Sequence, residues 1–170
     1  MSAAEAAAPE VCDAYIGLGA NLGNRAATIA RAFDEIAALP ATLLLARSSL
    51  YASPPLDAAG GEYLNAVARV RTSLAPLALL RALQAIEARH GRERPYPGAP
   101  RTLDLDLLVH GGAVVDTPEL RLPHPRLHER AFVLAPLAEV APPDLVVPGR
   151  GDLAALRAAV AAQAVARLDR

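Results

Sequence analysis

The sequence predicts an α+β fold with a strand–helix–strand–strand–helix–strand core and a helical C-terminal extension. Four segments show the period-two pattern of strands, and two others repeat apolar residues at helical spacing. Prolines and glycines mark the ends of these segments. The chain has 170 residues, of which 53% are hydrophobic, so it can bury a core without disulfide or metal support. We expect a single domain over residues 13–170 and a disordered tail over residues 1–12.

The first strand and helix are predicted from periodicity. Asp13 to Ala20 alternates small and apolar residues as a strand does, and Asn24 to Leu39 places Ile29, Phe33 and Ile36 at helical spacing. A proline directly after this stretch ends the helix.

A glycine-rich segment, Gly17 to Gly23, joins this strand to this helix. It differs from the dinucleotide-binding fingerprint, because its third glycine comes one residue late. The required acidic residue after a second parallel strand is also missing. We interpret the segment as a tight turn.

The rest of the core contains two strands, a helix and a final strand. Thr42 to Ala52 and Tyr63 to Thr72 are strand-like, and the prolines and glycines between them indicate a loop, so we expect these strands to pair. A helical pattern runs from Ala75 to His90, where Gly91 ends it, and Thr102 to Val109 is strand-like. This order of elements is the ferredoxin-like arrangement.

Two further helices are predicted after the core. Arg130 to Val140 and Asp152 to Leu168 have helical composition and are separated by prolines. They form the expected C-terminal extension. No internal repeat or linker indicates a second domain.

Composition excludes several classes of protein. The net charge of -1 gives no global field for nucleic acid, although a local patch can still bind phosphate. The 17 basic side chains are all arginines, so a P-loop, which needs lysine, is excluded. Apolar runs end well short of the roughly 20 residues of a membrane helix. The single cysteine, Cys12, excludes a disulfide framework within the chain and favours a cytoplasmic protein, which we expect to be a monomer.

Two aspartates form the most informative pattern in the sequence. Side chains two apart on a strand share a face, so Asp104 and Asp106 point to one side while Leu103, Leu105 and Leu107 point to the other. Mg²⁺ is commonly held by one or two carboxylates together with substrate phosphates, and a cation relieves the repulsion between them. The pattern therefore fits a metal–nucleotide site. The alternative, a half-buried strand with a solvated polar face, stays open from these residues alone.

Arginines flank the aspartate pair. Arg92, Arg94 and Arg101 lie in or next to a Pro- and Gly-rich segment that we expect to be a mobile loop. Guanidinium groups bind phosphate oxygens in a bidentate manner, as a metal-bound polyphosphate requires. The alternative is a solvated loop whose arginines pair with nearby carboxylates.

Three other segments carry candidate binding residues. His124 lies between two prolines, which restrict its backbone and present it from a rigid turn. Ser53 precedes two prolines, while Tyr63 and Asn65 offer an aromatic face and an amide, as recognition of a flat heterocycle requires. Purely structural roles for each of these residues remain open at this point.

Five short blocks occur in order along the chain: Gly17 to Gly23, Ser53-Pro54-Pro55, Tyr63-Leu64-Asn65, Pro100 to Asp106, and Pro123-His124-Pro125. Together they strongly resemble the 6-hydroxymethyl-7,8-dihydropterin pyrophosphokinase family, over residues 14–145. The block from Pro100 to Asp106 is close to a signature of that family. The family is ferredoxin-like, which agrees with the predicted order of elements.

The resemblance implies that the chain transfers the terminal diphosphate of ATP to the hydroxymethyl group of a reduced pterin, with AMP as the other product, in folate biosynthesis. It implies that Asp104 and Asp106 bind two Mg²⁺ ions and act in catalysis with Arg92, Arg94 and Arg101. The implied ATP-binding residues are Gln84, Glu87, Arg92, Arg94, Arg101, His124 and Arg130. The implied pterin-binding residues are Ser53, Pro54, Leu56, Tyr63, Asn65 and Phe132.

A binding module of the same fold, either a small-molecule sensor or an RNA-binding domain, is the alternative from another functional class. An RNA-binding version needs exposed aromatic residues on its central strands, and the aromatic content of 4% offers little stacking surface. An inactive relative of the pyrophosphokinases is the stronger sensor alternative, yet Asp104, Asp106 and the matched arginines are all present.

Overall fold

The periodic segments of the sequence form a mixed structure of helices around an antiparallel sheet. The computed structural model describes residues 10–20, 24–53, 63–91 and 103–168. The strands are β1 (Cys12–Ala20), β2 (Thr42–Arg47), β3 (Tyr51–Ser53), β4 (Tyr63–Thr72), β5 (Asp104–His110), β6 (Val115–Asp116), β7 (Arg121–Leu122), β8 (Val146–Val147), β9 (Gly151–Asp152) and β10 (Ala166–Arg167). The helices are α1 (Arg25–Ala37), α2 (Pro76–Gly91), α3 (Ala131–Val140) and α4 (Leu153–Ala159), with a short 3₁₀ turn at Leu127–Glu129.

The main sheet has the strand order β10-β3-β4-β1-β5, and β2 also pairs with β4, at residues that β3 leaves free. The predicted pairing of the segments 42–52 and 63–72 is therefore confirmed. The central strand β1 places Gly19 opposite Asn65 of β4 on one side and opposite Asp104 of β5 on the other. This register brings an amide and a carboxylate that are distant in sequence to neighbouring positions at one end of the sheet.

Each face of the sheet is covered by a helical layer. On one face, Ile29, Phe33 and Ile36 of α1 pack with Leu79, Leu83 and Ile86 of α2 against strand residues such as Leu105. On the other face, α3 and α4 pack against strand residues such as Tyr15 and Val67. Both faces of the central strands β1 and β4 are therefore buried along most of their length.

Helix α1 begins where the sequence predicts. The side chain of Asn24 accepts a hydrogen bond from the Ala27 backbone N–H over 3.1 Å, which satisfies one of the free donors of the first turn. The buried residues Ile29, Phe33 and Ile36 confirm the predicted helical face.

The segment predicted as one strand from Thr42 to Ala52 is divided in two. The Ser48 hydroxyl accepts the Val67 N–H at 2.8 Å, a bond that a strand carbonyl makes in a regular ladder. The next residue, Ser49, directs its backbone N–H to the carboxylate of Glu139 on α3. The Ser48 N–H still donates to the Val67 carbonyl at 2.9 Å, but side-chain oxygens accept the other two N–H groups, and the regular pairing is interrupted between β2 and β3.

The helix predicted over Asp152 to Leu168 is wrong for its second half. Helix α4 ends at Ala159, and β10 instead pairs with β3 at the sheet edge. Between them, the Gln163 side chain accepts the Ala131 N–H at 2.8 Å and donates to the Glu129 carbonyl at 2.7 Å. This cap on α3 is a tertiary interaction, and it overrides the local helical propensity of an alanine-rich segment.

The interpretation of Gly17 to Gly23 as a tight turn is also wrong for its first part, because β1 continues through Ala20. Residues 21–23 lie outside the described part of the chain. Within the described residues, no helix is long and apolar enough to cross a membrane.

Candidate active site

A cavity opens at the end of the sheet where β1, β3, β4 and β5 meet the start of α3. Its walls combine two carboxylates, a guanidinium, an amide, a hydroxyl and two aromatic rings. The lining residues are Gly17, Leu18, Gly19, Ser53, Tyr63, Asn65, Ala66, Val67, Asp104, Asp106, Leu108, Arg130, Phe132 and Val133. Seven of the predicted site residues therefore surround one space.

The two aspartates lie two residues apart on β5, and both line this cavity. Leu103, Leu105 and Leu107, on the opposite side of the strand, are only 2%, 4% and 3% exposed. The predicted alternation is thus confirmed, and the buried leucines anchor the strand that carries the carboxylates. Between the aspartates, the Leu105 N–H donates to Glu87 Oε2 of α2 at 2.8 Å.

Two glycines of β1 form the floor of the cavity. A Cβ atom at Gly19 would lie 3.4 Å from Asn65 Oδ1, and one at Gly17 would lie 3.4 Å from the Leu108 side chain. Side chains at these positions would fill the space between Asn65 and the aspartates. The sequence interpretation missed this role, although two glycines at alternate positions of a strand are a recognisable sign of close approach by a ligand.

Asn65 and Ser53 meet at the wall that β3 and β4 form. The Asn65 side-chain amide donates to Ser53 Oγ at 2.9 Å, and the two residues are 7% and 5% exposed. On the other side of the cavity, the first turn of α3 presents Phe132, and the Arg130 guanidinium carbon lies 5.5 Å from the centre of its ring. The cavity is thus bounded by polar groups on the sheet and by an aromatic–cation pair on the helix.

Asp106 also borders a second cleft, which lies beside the first. The other residues of this cleft are Leu80, Leu105, Leu107, Pro118, Glu119, Leu120, Arg121, His124 and Pro125. Because one carboxylate reaches both spaces, a ligand in the cleft and a ligand in the cavity could contact each other at Asp106.

His124 is held in this cleft by its backbone and by its ring. Its N–H donates to the Leu108 carbonyl at 2.8 Å, and its Nδ1 accepts the Arg126 N–H at 3.2 Å. Burial lowers the pKa of His124; the negative charge of Asp106 opposes this, while Arg130 and Arg126 lower it further. The lowered pKa favours the neutral ring, and because Nδ1 is an acceptor, the neutral ring carries its proton on Nε2.

The remaining predicted residues fall into two groups. Gln84 is exposed on α2 and lines neither of the two spaces. Glu87 lines neither space and accepts the Leu105 N–H of β5. Arg92, Arg94, Arg101, Pro54 and Leu56 lie outside the described residues. Within the described residues, no cluster of three or more His, Cys, Asp or Glu side chains could hold a metal ion by itself.

Comparison with known proteins identifies relatives over most of the chain. Residues 15–142 match the family model of 7,8-dihydro-6-hydroxymethylpterin-pyrophosphokinase (HPPK). The chain is 46% identical over 155 residues to the 2-amino-4-hydroxy-6-hydroxymethyldihydropteridine pyrophosphokinase of Pseudomonas aeruginosa, covering 91% of this chain and 95% of that protein. It is also 46% identical over 137 residues to the protein of the same name in Methylorubrum extorquens, with 80% and 86% covered.

The fold has counterparts among solved structures. The crystal structure of Plasmodium falciparum HPPK-DHPS wild type with pteroate superposes with a TM-score of 0.70 at 12% identity, over 88% of this chain. At this identity the likeness concerns the fold alone, and this chain spans only 42% of that larger protein. The family match and the two relatives, which extend over the strands and helices that build the cavity, show that this chain belongs to the 7,8-dihydro-6-hydroxymethylpterin-pyrophosphokinase family.

Proposed function

We propose that the chain transfers the terminal diphosphate of ATP to the hydroxymethyl group of 6-hydroxymethyl-7,8-dihydropterin, giving the pterin diphosphate and AMP, as a step of folate biosynthesis. Membership of the family supports this activity. The observation that carries it is the register at Gly19, which brings Asn65 and Asp104 to opposite sides of one open space. Asn65, which can recognise a heterocycle, and Asp104, which can bind metal-bound polyphosphate, therefore border the same space.

The pterin is proposed to bind in the cavity between the sheet and α3. Because the Asn65 amide donates to Ser53, its Oδ1 is left to accept an N–H from the edge of the ring. Tyr63 and Phe132 line the same cavity and offer two aromatic faces for stacking. Pro54 and Leu56 complete the proposed pocket by family resemblance.

ATP is proposed to bind along the second cleft, with its phosphates at Asp106. His124 Nε2 and the Arg130 guanidinium are donors for phosphate oxygens at this junction. By family resemblance, Arg92, Arg94 and Arg101 are further phosphate ligands. Gln84 is a further nucleotide-binding residue on the same basis.

Asp104 and Asp106 are proposed to hold two Mg²⁺ ions. Two carboxylates on one strand face, both bordering the cavity, are a suitable protein share for this ion, which takes its other oxygen ligands from phosphates and water. When bound, Mg²⁺ offsets the negative charge of the phosphates.

The reaction requires alignment of two substrates more than it requires a reactive side chain. The hydroxyl oxygen of the pterin forms a bond to the β-phosphorus of ATP. The bond from that phosphorus to the α,β-bridging oxygen breaks, and AMP leaves with this oxygen. Asp106 is the proposed acceptor of the hydroxyl proton, since it borders both spaces. Arg130 and His124 stabilise the charge on the transferred group.

Two finer features also belong to this proposal. The strand order β5-β1-β4, with β2 and β3 beyond β4, supports a ferredoxin-like core. A monomeric state and a cytoplasmic location stay predictions, and only the location is argued from composition.

The activity is tested by incubating the purified chain with ATP, magnesium and the reduced pterin, and by separating the products. We expect AMP and pterin diphosphate in equal amounts. Binding of pterin without formation of AMP would favour the sensor alternative, and formation of ADP would point to a different phosphoryl transfer.

A further inference from the structure

Glu87 contacts the strand that carries both aspartates, at the residue between them. Its Oε2 accepts the backbone N–H of Leu105 at 2.8 Å. Strand β5 is the last in the order of the main sheet as described, with β1 as its neighbour. The Leu105 N–H therefore points to the outer side of β5, where a further strand would supply a backbone acceptor. The Glu87 side chain of α2 supplies the acceptor instead.

The register shows what this contact fixes. Asp104 lies opposite Gly19, Leu105 opposite Leu18, and Asp106 opposite Gly17. In antiparallel sheets, successive residues direct their backbone groups alternately toward and away from a given neighbour. Since the Leu105 N–H points to Glu87, the backbone groups of Asp104 and Asp106 are the ones directed at β1. The three-residue segment is thus held from both sides.

The position of Glu87 is itself fixed by packing. Its helix neighbours Leu83 and Ile86 are fully buried, and they belong to the same core cluster as Leu105. A carboxylate acceptor also makes a shorter and stronger hydrogen bond than a neutral one. Helix α2 therefore holds the outer edge of β5 through both apolar packing and one directed bond.

We propose that Glu87 is a positioning residue for Asp104 and Asp106, which acts by holding the Leu105 N–H and not by touching the nucleotide. This inference rests on the proposed function in one respect, namely that Asp104 and Asp106 bind magnesium. It gives Glu87 a role different from the nucleotide contact that family resemblance suggests. Displacement of β5 on loss of this bond would move both carboxylates together.

Two substitutions separate reach from charge. Glu87→Gln keeps an acceptor oxygen at the same distance from the helix but removes the charge. Glu87→Asp keeps the charge but shortens the side chain by one methylene group. If Glu87 acts by holding the Leu105 N–H, the Gln variant should behave like the original protein in both measurements below, and the Asp variant should not. A charge contact with the nucleotide or its metal predicts the reverse order.

The first measurement uses the metal-free protein and follows hydrogen exchange of the Leu105 amide by NMR. In Glu87→Asp, exchange should accelerate about tenfold or more through loss of one hydrogen bond, whereas in Glu87→Gln it should stay within about threefold of the original rate. Asp34→Asn is the control, because this substitution also removes one acidic charge, and the Asp34 side chain is 72% exposed and pairs with Arg47 away from β5. It should leave Leu105 exchange unchanged.

The second measurement titrates magnesium in the presence of a non-hydrolysable ATP analogue and follows the amide signals of Asp104 and Asp106. The apparent magnesium affinity should fall about tenfold or more in Glu87→Asp and much less in Glu87→Gln, by analogy with the loss of groups that orient metal ligands. Unchanged Leu105 exchange in Glu87→Asp would overturn the proposal, and so would a weaker magnesium affinity in the Gln variant than in the Asp variant. Both measurements are independent of turnover, so a chain that fails to form pterin diphosphate would refute the activity without deciding the role of Glu87.

Discussion

The side-chain amide of Asn65 donates to Ser53 Oγ across the junction of β4 and β3, and both residues are almost completely buried. This bond fixes the rotation of the Asn65 amide group. Its Oδ1 then lies on the side of Gly19, where a Cβ atom would approach it to 3.4 Å. Asn65 therefore offers the cavity an oriented acceptor.

Replacement of Asn65 should separate the two substrates. We expect Asn65→Ala to weaken pterin binding by ~1–3 kcal/mol, because the ring edge loses its partner inside a desolvated pocket. ATP binding should change much less, since Asn65 does not border the second cleft. Calorimetry with each ligand separately measures both effects. Equal losses for ATP and pterin would mean that the pterin pocket is misplaced.

Replacement of either aspartate should nearly abolish turnover without unfolding the chain. Asp104→Asn and Asp106→Asn each remove a negative charge from the proposed metal site, and we expect rates to fall by roughly a hundredfold or more. Thermal melting should show intact folding, because the carboxylates face the cavity while the buried leucines of β5 remain.

Asp34→Asn is the matched control for these variants. The Asp34 side chain is 72% exposed and pairs with Arg47 outside the cavity, so its loss should leave the rate unchanged. Near-normal rates for both aspartate variants at saturating magnesium would contradict the metal assignment.

A side chain at Gly19 should block the pterin and spare the fold. Gly19→Val introduces a residue that strands favour, but its methyl groups would project past a Cβ that already lies 3.4 Å from Asn65 Oδ1. We expect pterin affinity to fall by about tenfold or more, as the loss of one good hydrogen bond implies. Gly112→Ala is the control, because a Cβ there has no neighbour within 4 Å. Unchanged pterin affinity in Gly19→Val, measured by calorimetry, would show that the cavity floor is not part of the pocket.

The sequence pattern predicted those features that depend only on neighbouring residues in the chain. The alternation around Asp104 and Asp106 depends only on strand geometry and burial, and the structure confirms it. The C-terminal strand β10 was missed because nothing in an alanine-rich segment indicates that Gln163 will cap a different helix. The role of Gly19 was missed for a related reason, since it depends on the register of β1 with two strands that are distant in sequence.

The pH dependence of stability provides a test away from the site, at Glu139. Its carboxylate accepts the Tyr51 hydroxyl at 2.6 Å, and the Ser49 hydroxyl and N–H at 2.8 and 2.6 Å. Burial raises the pKa of Glu139, but these hydrogen bonds outweigh it and lower the pKa below the ordinary value of 4.5. Burial, with Glu139 nearby, raises the pKa of Tyr51 to about 12, so the phenol remains a donor throughout the acidic and neutral range.

A carboxyl group whose pKa is lowered by folding stabilises the folded state when it is ionised in both states. Its contribution is fully present above the ordinary pKa of 4.5 and is lost as the pH falls through the lower pKa of the folded state. We therefore expect Glu139→Gln to reduce the free energy of unfolding by ~1–3 kcal/mol at pH 7, and this difference should shrink as the pH falls below 4.5. Urea denaturation of both proteins across this range measures the difference. Asp13 also titrates in this range, because burial raises its pKa but hydrogen bonds from Arg69 and Arg71 lower it overall. Its contribution is the same in both proteins and cancels in the difference. If the difference in unfolding free energy stays constant from pH 7 into the acidic range, the charge of Glu139 does not contribute to its hydrogen bonds with Ser49 and Tyr51.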